Sequence, residues 1–291
     1  MNVEPSALHS DTETEITGPG FGAEICLSPL NQRIQVLRYE ADDRTALVAH
    51  LERVARDRGF GKVFLKAPVD DRASFESAGM DAEAIIDGYF SGHPAAVMSL
   101  FVDDTRRHSP TALEEAEILK TIRKRPADGS VPTPPEGYEM SLAEPADARE
   151  LAGLYNEVFA SYPFPIHDPE YLTSTMESHV TYRVVRDHTG AVVGAASAET
   201  NRDLRNAEMT DFATRPNQRG RGLAQHLLAA LEEDMSETGI DNLYTIARAR
   251  SAGMNRVFYN RGYQWTGTLV NNCHIAGRFE DMHVWCKGLA G

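Results

Sequence analysis

Cysteine is scarce in this sequence, which has only Cys26, Cys273 and Cys286 among its 291 residues. An odd number of widely separated cysteines does not favour a disulfide framework, and their spacing matches no metal-binding motif. The histidines at 167, 179, 226 and 283 show no metal-ligand spacing either. We therefore expect buried thiols in a reducing compartment and no bound metal.

Long apolar runs that could span a bilayer are also missing, and the chain does not start with a basic segment followed by an apolar one. We therefore expect a cytoplasmic protein. Positive charge is in the minority, because 29 Lys and Arg residues stand against 43 Asp and Glu residues, a net charge of −14. Most of such a surface repels a nucleic acid or an anionic membrane, so neither is expected as a partner.

The length of the chain predicts two domains. Residues 1–22 are polar, acidic and interrupted by Gly and Pro, and we expect them to form a disordered tail. Residues 123–137 contain four prolines and are typical of a linker. The predicted domains are therefore an N-terminal domain at residues 23–122 and a C-terminal domain at residues 138–291.

The C-terminal block alternates between strand-like and helix-like segments. Helical spacing of apolar residues predicts helices at 145–159, 222–237 and 252–260. Strands are predicted at 138–142, 180–186, 191–198, 207–214, 242–247, 263–270 and 282–287. This order of elements predicts an α/β layer fold.

A glycine-containing loop lies between the predicted strand 207–214 and the helix that follows it. Its residues are Arg219, Gly220, Arg221, Gly222, Leu223 and Ala224. Backbone amides and the positive end of the helix can bind phosphate oxygens there, and glycine allows a close approach. The two arginines add charged donors. The loop lacks both the Lys-Ser/Thr pair of a nucleotide-hydrolysing P-loop and the three-glycine dinucleotide pattern.

The N-terminal block resembles part of the C-terminal block. Residues 51–64 align with residues 231–244, which lie 180 positions later, and Gly59 then matches Gly239. This match suggests a repeated helix–strand unit, although any helix–glycine–strand unit could resemble another, and both readings stay open. Residues 39–44 take the place of the glycine loop and contain three acids and no glycine. Because carboxylates repel a pyrophosphate, we expect no nucleotide site in the N-terminal block.

The motif Arg219-x-x-Gly222-x-Ala224, after the segment FATRP at 212–216, resembles motif A of the GNAT superfamily of N-acyltransferases. The resemblance covers roughly residues 138–288. It implies a C-terminal GNAT fold, a splayed mixed sheet flanked by helices, preceded by a smaller α/β domain that the internal match suggests is a degenerate GNAT-like half. Acetyl-CoA is then the co-substrate and lies between strands 207–214 and 242–247. The resemblance places Phe212, Ala213 and Thr214 along its pantetheine, and the amides of 219–224 at its pyrophosphate.

A narrower resemblance links the sequence to the β-lysine N-acetyltransferases. It is carried by YPFPIHDP (162–169), NAEMTDFAT (206–214) and GTLVNN (267–272), and in the first block by RIQVL (33–37) and KVFLK (62–66). It implies acetyl transfer to the ε-amine of β-lysine, which makes a neutral compatible solute for osmoadaptation. In that family a lysine 2,3-aminomutase acts upstream. A homodimer stays open.

An alkylammonium must lose a proton before its nitrogen can attack a thioester, so a general base is useful. The candidates are Glu208, at the position where related transferases often carry a carboxylate, and Asp211, which strict alternation places on the opposite face of the strand. The superfamily often protonates the departing thiolate with a tyrosine, and Phe258 stands at that position. Tyr259 is a weak substitute, since it is rotated by about 100° around the helix. Asn255 is a candidate for hydrogen bonds to the pantetheine or the acceptor.

The acceptor implied by the resemblance carries one carboxylate and two amines. Arg248 is available for a bidentate grip on the carboxylate, with Arg250 as its alternative. Asn271 and Asn272 are candidates for the β-amine, and Tyr162 and Phe164 for the lining of the acceptor slot. The competing readings are a transferase for another small amine or diamine, and an acyl-CoA-binding regulatory protein without turnover, which Phe258 keeps open.

Overall fold

The computed structural model describes residues 11–130, 135–160, 162, 164–275 and 277–289. Seven helices lie in this part of the chain: α1 (Arg44–Asp57), α2 (Arg72–Ser77), α3 (Ala112–Arg123), α4 (Ala148–Val158), α5 (Pro169–Met176), α6 (Leu223–Glu237) and α7 (Ala252–Asn260). None of these helices is long and apolar enough to cross a membrane.

Thirteen strands complete the described part of the chain. They are β1 (Thr12–Gly18), β2 (Phe21–Ser28), β3 (Arg33–Ala41), β4 (Lys62–Pro68), β5 (Asp81–Phe90), β6 (His93–Phe101), β7 (Glu139–Leu142), β8 (Val180–Arg186), β9 (Val192–Asn201), β10 (Asn206–Thr214), β11 (Asn242–Arg248), β12 (Gln264–Ile275) and β13 (Arg278–Gly288). The fold is therefore the mixed α/β fold predicted from the sequence.

All thirteen strands form one sheet in the order β1-β2-β3-β4-β6-β5-β12-β13-β11-β10-β9-β8-β7. Two neighbouring pairs, β3 with β4 and β10 with β11, are parallel. The other pairs are antiparallel. Parallel neighbours need a crossover, and α1 and α6 supply the two crossovers.

The internal match found in the sequence corresponds to a repeated topology. The first six strands follow the order β1-β2-β3-β4-β6-β5, and the order β8-β9-β10-β11-β13-β12 repeats it in the second half. The register repeats as well, because Ile34 pairs with Val63 in the first half and Ala207 pairs with Leu243 in the second. The first half is thus built like a GNAT domain that lacks its first strand and first two helices.

The two halves meet at their equivalent strands, β5 and β12, which run antiparallel and pair at Ala84 and Gly267. A Cβ on Gly267 would overlap the main chain of Glu83 and Ala84, so only glycine fits this junction. Lys62, which is fully buried, crosses the junction and bonds to Glu83 at 2.6 Å and to the carbonyl oxygen of Val270 at 2.8 Å. These contacts make the sheet continuous across the two halves.

Helix α3 belongs spatially to the second half, although its sequence falls in the predicted N-terminal block. Leu119 of α3 is buried in the same core as α6, and Arg250 pairs with Glu114 at 3.1 Å. Between α3 and β7 the described residues, 124–130 and 135–138, contain neither helix nor strand. The remaining residues of the predicted linker, 131–134, lie outside the described part of the chain.

The predicted disordered tail is wrong for residues 12–18. These residues form β1, an edge strand that pairs with β2 along its whole length from Thr12 with Leu27 to Gly18 with Phe21. Alternating Thr, Glu and Ile residues suit a solvated edge strand, and their charge hid that pattern in the sequence. Phe21 and Gly22, at the end of the predicted tail, begin β2, so the prediction is wrong for them as well. Residues 1–10 of the predicted tail are not among the residues described.

Candidate active site

The cleft between β10 and β11 is the central feature of the second half. The two strands pair only from Asn206 with Asn242 to Glu208 with Tyr244, and then they separate. A bulge between Thr210 and Ala213 bends β10 away, with Asp211 at a φ of 54°. The separation opens one side of β10 to a cavity of about 1450 Å³. This is the splayed sheet that the resemblance implied.

The glycine loop closes one end of this cavity. Gly220 and Gly222 have φ angles of 80° and 78°, which favour glycine, and α6 begins directly after them without a side-chain cap. Within the described residues, none of the amides from 220 to 224 donates to a backbone carbonyl. Free amides at a helix N-terminus form an anion-binding site. The loop therefore fits a pyrophosphate.

Apolar side chains continue the wall from the loop along the cleft. Phe212, Met254, Val257 and Phe258 line the cavity, and the rings of Phe212 and Phe258 pack edge to face at 5.5 Å. The side chain of Ala213 is 1% exposed and points into the core on the other side of the sheet, so only its main chain can serve the cleft. Such a wall suits the apolar part of an extended ligand.

Glu208 lies at the apex of the cleft, where β10 and β11 part. Burial raises its pKa to about 7, and Glu199 and Asp211 favour the same direction, while Lys66 and a hydrogen bond from Tyr244 oppose it. A carboxylate with a pKa near neutrality can accept a proton and release it again at physiological pH. Glu208 therefore has the properties of a general base.

Asp211 lines the same cavity as Glu208, so its predicted position on the opposite face is wrong. The bulge at Asp211 interrupts the two-residue alternation on which that prediction depended. Its carboxylate accepts hydrogen bonds from the hydroxyls of Tyr162 at 2.5 Å and Ser197 at 2.7 Å. Burial raises its pKa, and these hydrogen bonds oppose that increase. Asp211 is thus fixed in place beside the acceptor end of the cavity.

The first half of the chain forms part of the cavity wall, which the sequence did not predict. Arg33, Phe64, Lys66 and Tyr89 all line the cavity from β3, β4 and β5. Arg33 lies over the ring of Phe64 at 4.7 Å and donates to the carbonyl oxygen of Asn272 at 2.7 Å. The motif KVFLK at 62–66 contained Lys66, but its function could not be deduced without knowing which face of β4 meets the cavity.

Lys66 reaches towards β11 from the opposite wall. Its ammonium donates to the hydroxyl of Tyr244 at 3.3 Å and lies 5.0 Å and 5.2 Å from the ring centres of Tyr89 and Tyr244. Burial disfavours its charge, but Tyr89, Glu208 and Glu199 outweigh burial and raise the pKa of Lys66. Lys66 is therefore a charged group at neutral pH.

The structure brings most of the predicted site residues to this one cavity. Those that line it are Tyr162, Phe164, Glu208, Asp211, Phe212, Thr214, Arg219, Gly220, Gly222, Leu223, Ala224, Arg248, Phe258 and Asn272. Those that do not are Ala213, Arg221, Tyr259, Asn255 and Asn271. The exposed Arg221 remains on the loop, pointing away from the cavity wall.

Tyr259 and Asn255 have structural positions on α7. Tyr259 packs against Trp285 at 6.5 Å on the face of the helix that turns away from the cleft. Asn255 is fully buried, donates to the carbonyl oxygens of Arg248, Ala249 and Ser251, and accepts a hydrogen bond from Trp285 at 2.8 Å. Its amide is therefore fully used in fixing the turn after β11, and neither residue reaches a ligand in the cavity.

The acceptor candidates on β11 and β12 also differ from expectation. Asn271 bonds through its side chain to the carbonyl oxygens of Arg106 and His108, so it joins the two halves. Arg248 lines the cavity, but its guanidinium already makes a bidentate pair with Glu280 at 2.7 Å and 2.8 Å. Asn272 lines the cavity, and its buried Oδ1 has no hydrogen-bond partner within the described structure. In the same part of the chain, no group of His, Cys, Asp and Glu residues could hold a metal ion.

The strand order, the splay and the anion-binding loop together define an acyltransferase that takes its acyl group from coenzyme A. A family model described as "Acetyltransferase (GNAT) family" matches residues 150–263. The chain is 37% identical over 275 residues to N-acetyltransferase YodP of Bacillus subtilis, which covers 94% of this chain and 98% of the relative. The chain therefore belongs to the GNAT acetyltransferase family, whose members are acetyl-CoA-dependent N-acetyltransferases.

Two archaeal relatives match to a similar extent. The chain is 35% identical over 263 residues to the beta-lysine N(6)-acetyltransferase of Methanococcus maripaludis, across 90% of this chain and 95% of the relative. It is also 35% identical over 259 residues to the beta-lysine N(6)-acetyltransferase of Methanosarcina mazei, across 82% of this chain and 95% of the relative. These matches extend over both halves of the chain.

Proposed function

We propose that this chain transfers the acetyl group of acetyl-CoA to the ε-amine of β-lysine and so makes the compatible solute N-ε-acetyl-β-lysine. The observation that carries the proposal is Glu208, a carboxylate with a pKa of about 7 at the apex of the cleft, in a cavity that Glu199 and Asp211 also line. The names of the two archaeal relatives support β-lysine as the acceptor.

The donor would bind along the whole cleft. The free amides of residues 220–224 would hold its pyrophosphate, and Arg219 would add a charged donor beside them. The unpaired edge of β10 at Phe212 and Thr214 offers main-chain groups to the pantetheine, because β11 has already separated from it. Phe258 and Val257 would keep water away from the thioester.

The reaction needs one proton transfer before acyl transfer. The acceptor ammonium gives a proton to Glu208, and the neutral nitrogen then attacks the thioester carbonyl carbon. A carbon–nitrogen bond forms, the carbon–sulfur bond breaks, and the sulfur leaves as a thiolate with the bonding electrons. The nitrogen loses its second proton to solvent as the amide forms, and the thiolate takes up a proton from solvent. A thiol of ordinary pKa near ~8.5 is a good leaving group, so Phe258 can stand where related enzymes have an acid. Glu208 then releases its proton to solvent.

The acceptor end of the cavity favours a cation. Glu199, Glu208 and Asp211 all line the cavity, and the hydroxyl of Tyr162 donates a hydrogen bond to Asp211. Carboxylates that converge on one cavity lower the free energy of an alkylammonium there. Phe164, Arg248 and Asn272 complete the proposed acceptor wall.

An acceptor panel tests the proposal. The purified protein is incubated with acetyl-CoA and β-lysine, lysine or putrescine, and the release of free CoA is measured together with the mass of the product. We expect the highest kcat/KM with β-lysine and a product acetylated on the terminal amine. Equal rates with all three amines would contradict the acceptor, and CoA binding without turnover on any amine would contradict catalysis.

A transferase for another small amine is the second candidate. It is favoured by the acidic wall, because an acid-rich site attracts diamines as well as amino acids. The Bacillus relative, whose name states no acceptor, is as similar to this chain as the archaeal ones. Faster turnover of putrescine than of β-lysine would support this candidate.

A further inference from the structure

The cavity is electrically divided between the two halves of the chain. When the cations that pair with a carboxylate are set aside with their partners, the first half contributes Arg33 and Lys66 to the wall. The second half contributes the acids Glu199, Asp203, Glu208 and Asp211, together with Arg219 on the glycine loop. An acceptor with an amine at one end and a carboxylate at the other would complement this arrangement. A diamine would place a second positive charge against the cationic wall.

Half of the Lys and Arg residues on the cavity wall already have a carboxylate partner. Arg38 pairs with Glu24, Arg44 with Asp71 and Arg248 with Glu280. Among the described residues, three wall cations make no ion pair within 4.0 Å: Arg33, Lys66 and Arg219. Arg219 belongs to the pyrophosphate loop, so Arg33 and Lys66 are the two that could meet an acceptor.

Both residues have donors left, since the Nε of Arg33 has no hydrogen-bond partner, but that atom is buried, so Lys66 is the more accessible of the two to a ligand. Arg33 is 6% exposed, stacks on Phe64 and uses its Nη1 on the carbonyl oxygen of Asn272. The Lys66 side chain is partly exposed to the cavity, and its ammonium, which has three donors, contacts the Tyr244 hydroxyl and the rings of Tyr89 and Tyr244. Glu208 and Glu199 favour the charge of Lys66 from a distance, but neither forms an ion pair with it within 4.0 Å. A carboxylate that binds directly to this partly desolvated cation would therefore stabilise it further.

We propose that Lys66 binds the carboxylate of the acceptor amino acid, and that the first half of the chain therefore supplies a specificity-determining residue to the active site of the second. The inference rests on the proposed function in one respect, that the acceptor is an amino acid. The acceptor bridges the cavity, with its carboxylate on Lys66 and its terminal amine at Glu208. The two groups are more than 4.0 Å apart, because no ion pair joins them.

The test compares Lys66→Met with the wild type on two matched acceptors. These are β-lysine and 1,4-diaminopentane, which is the same diamine without the carboxylate. Loss of a charge-assisted hydrogen bond should lower kcat/KM for β-lysine about 10- to 100-fold, mainly through KM. The same variant should change kcat/KM for 1,4-diaminopentane less than about 3-fold. Lys66→Arg, which keeps the charge, should recover most of the loss.

The diamine also controls for an indirect effect through Glu208. Lys66 lowers the pKa of Glu208, so its removal raises that pKa and alters the rate with both acceptors alike. An equal loss with both acceptors would therefore overturn the proposal and make Lys66 a residue that tunes the base. Unchanged kinetics with β-lysine would overturn it as well. The affinity for CoA, measured by calorimetry, should stay the same in both variants if they fold.

Failure of the proposed function gives a different result. If the wild type prefers lysine to β-lysine, the acceptor is wrong, and lysine with 1,5-diaminopentane becomes the matched pair for Lys66→Met. If Lys66→Met then lowers kcat/KM for lysine but not for 1,5-diaminopentane, carboxylate binding by Lys66 is supported although the acceptor is not β-lysine. If the wild type prefers each diamine to its amino acid, the carboxylate is not recognised and the inference fails.

Discussion

Replacement of Glu208 by Gln should remove the base without changing the shape of the cleft. The ammonium of a free alkylamine has a pKa of about 10.4, so roughly one molecule in 2,500 carries a neutral amine at pH 7. Glu208, with a pKa of about 7, is about half ionised at that pH and can accept the proton inside the complex. A positioned base of this kind accelerates proton transfer about 10²- to 10⁴-fold.

The expected result is a change in both rate and pH dependence. Wild-type kcat should reach half its maximum near the pKa of Glu208, about 7, and level off above it. Glu208→Gln should be about 10²- to 10³-fold slower at pH 7 and should gain roughly tenfold per pH unit, because only free amine reacts. Stopped-flow or endpoint detection of free CoA between about pH 6 and pH 9.5 measures both curves.

A neighbouring carboxylate provides the matched control. Glu199 is exposed, lines the same cavity and raises the pKa of Glu208. Glu199→Gln should therefore keep a wild-type plateau and move its midpoint to lower pH. If the dependence of kcat on pH has the same shape in Glu208→Gln as in the wild type, Glu208 is not the base. If Glu199→Gln leaves the midpoint of that curve unchanged, the midpoint does not belong to Glu208.

Three further results are expected. Gly222→Ala should lose about 1–2 kcal/mol of stability because Gly222 has a φ of 78°. It should also weaken CoA binding in calorimetry at least about tenfold, because the amide of Gly222 faces the proposed phosphate site. The control Gly239→Ala, with a φ of 79° at the far end of α6, should lose stability but not CoA affinity. Tyr259→Phe should keep kcat within about twofold, since the hydroxyl does not reach the cavity, and a larger loss would restore it as an acid. Burial and Asp281 raise the pKa of Glu115, so Glu115 binds a proton more tightly in the folded protein than in the unfolded chain. The free energy of unfolding therefore falls as the pH rises from 4.5 through the raised pKa. In urea unfolding, Glu115→Gln should match the wild type near pH 5 and be about 1–3 kcal/mol more stable near pH 8, and equal stability at pH 8 would contradict this.

The donor half of the site was accessible from the sequence because local rules determine it. Glycines at 220 and 222 before an amphipathic helix predict an anion site wherever the rest of the chain folds. The topology of the second half followed from the alternation of strands and helices and from the resemblance to the GNAT superfamily. The domain boundaries at 23–122 and 138–291 stay a prediction. Because α3 packs with the second half, its position favours a first domain that ends before α3.

The acceptor half was less accessible, because long-range geometry determines it. The side of β10 on which Asp211 lies depends on one bulge, which no period-two pattern reveals. Nothing in the sequence indicates that the side-chain amides of Asn255 and Asn271 already have hydrogen-bond partners. In the structure, both amides donate to main-chain carbonyl oxygens of other residues, so few or none of their donors remain for a ligand. Lys66 reaches the cavity only because β5 pairs with β12 and turns the first half over the cleft of the second.

The first half keeps the GNAT topology without the parts that bind the donor. Two residues, 42 and 43, connect β3 to α1, whereas residues 215–222 connect β10 to α6, and the side chain of Asp43 caps α1 at the amide of Ala46. Register places Gln35 where the second half has Glu208, since Gln35 pairs with Phe64 as Glu208 pairs with Tyr244. Gln35 cannot accept a proton at neutral pH, so this half has neither the loop nor the base.

The first half is a second, modified copy of the topology of the second half, and in the joined sheet it lines the cavity with Arg33, Phe64, Lys66 and Tyr89. Because β5 and β12 are equivalent strands, their antiparallel pairing relates the halves by an approximate two-fold axis, as in a symmetric dimer. In one chain the two copies no longer need the same sequence. One copy can then lose its donor site and carry a cation at Lys66, while the other keeps Glu208. Such a division of charge across one cavity is not available to an isolated domain, and under our proposal for Lys66 it is the physical basis on which the protein would distinguish an amino acid from a diamine.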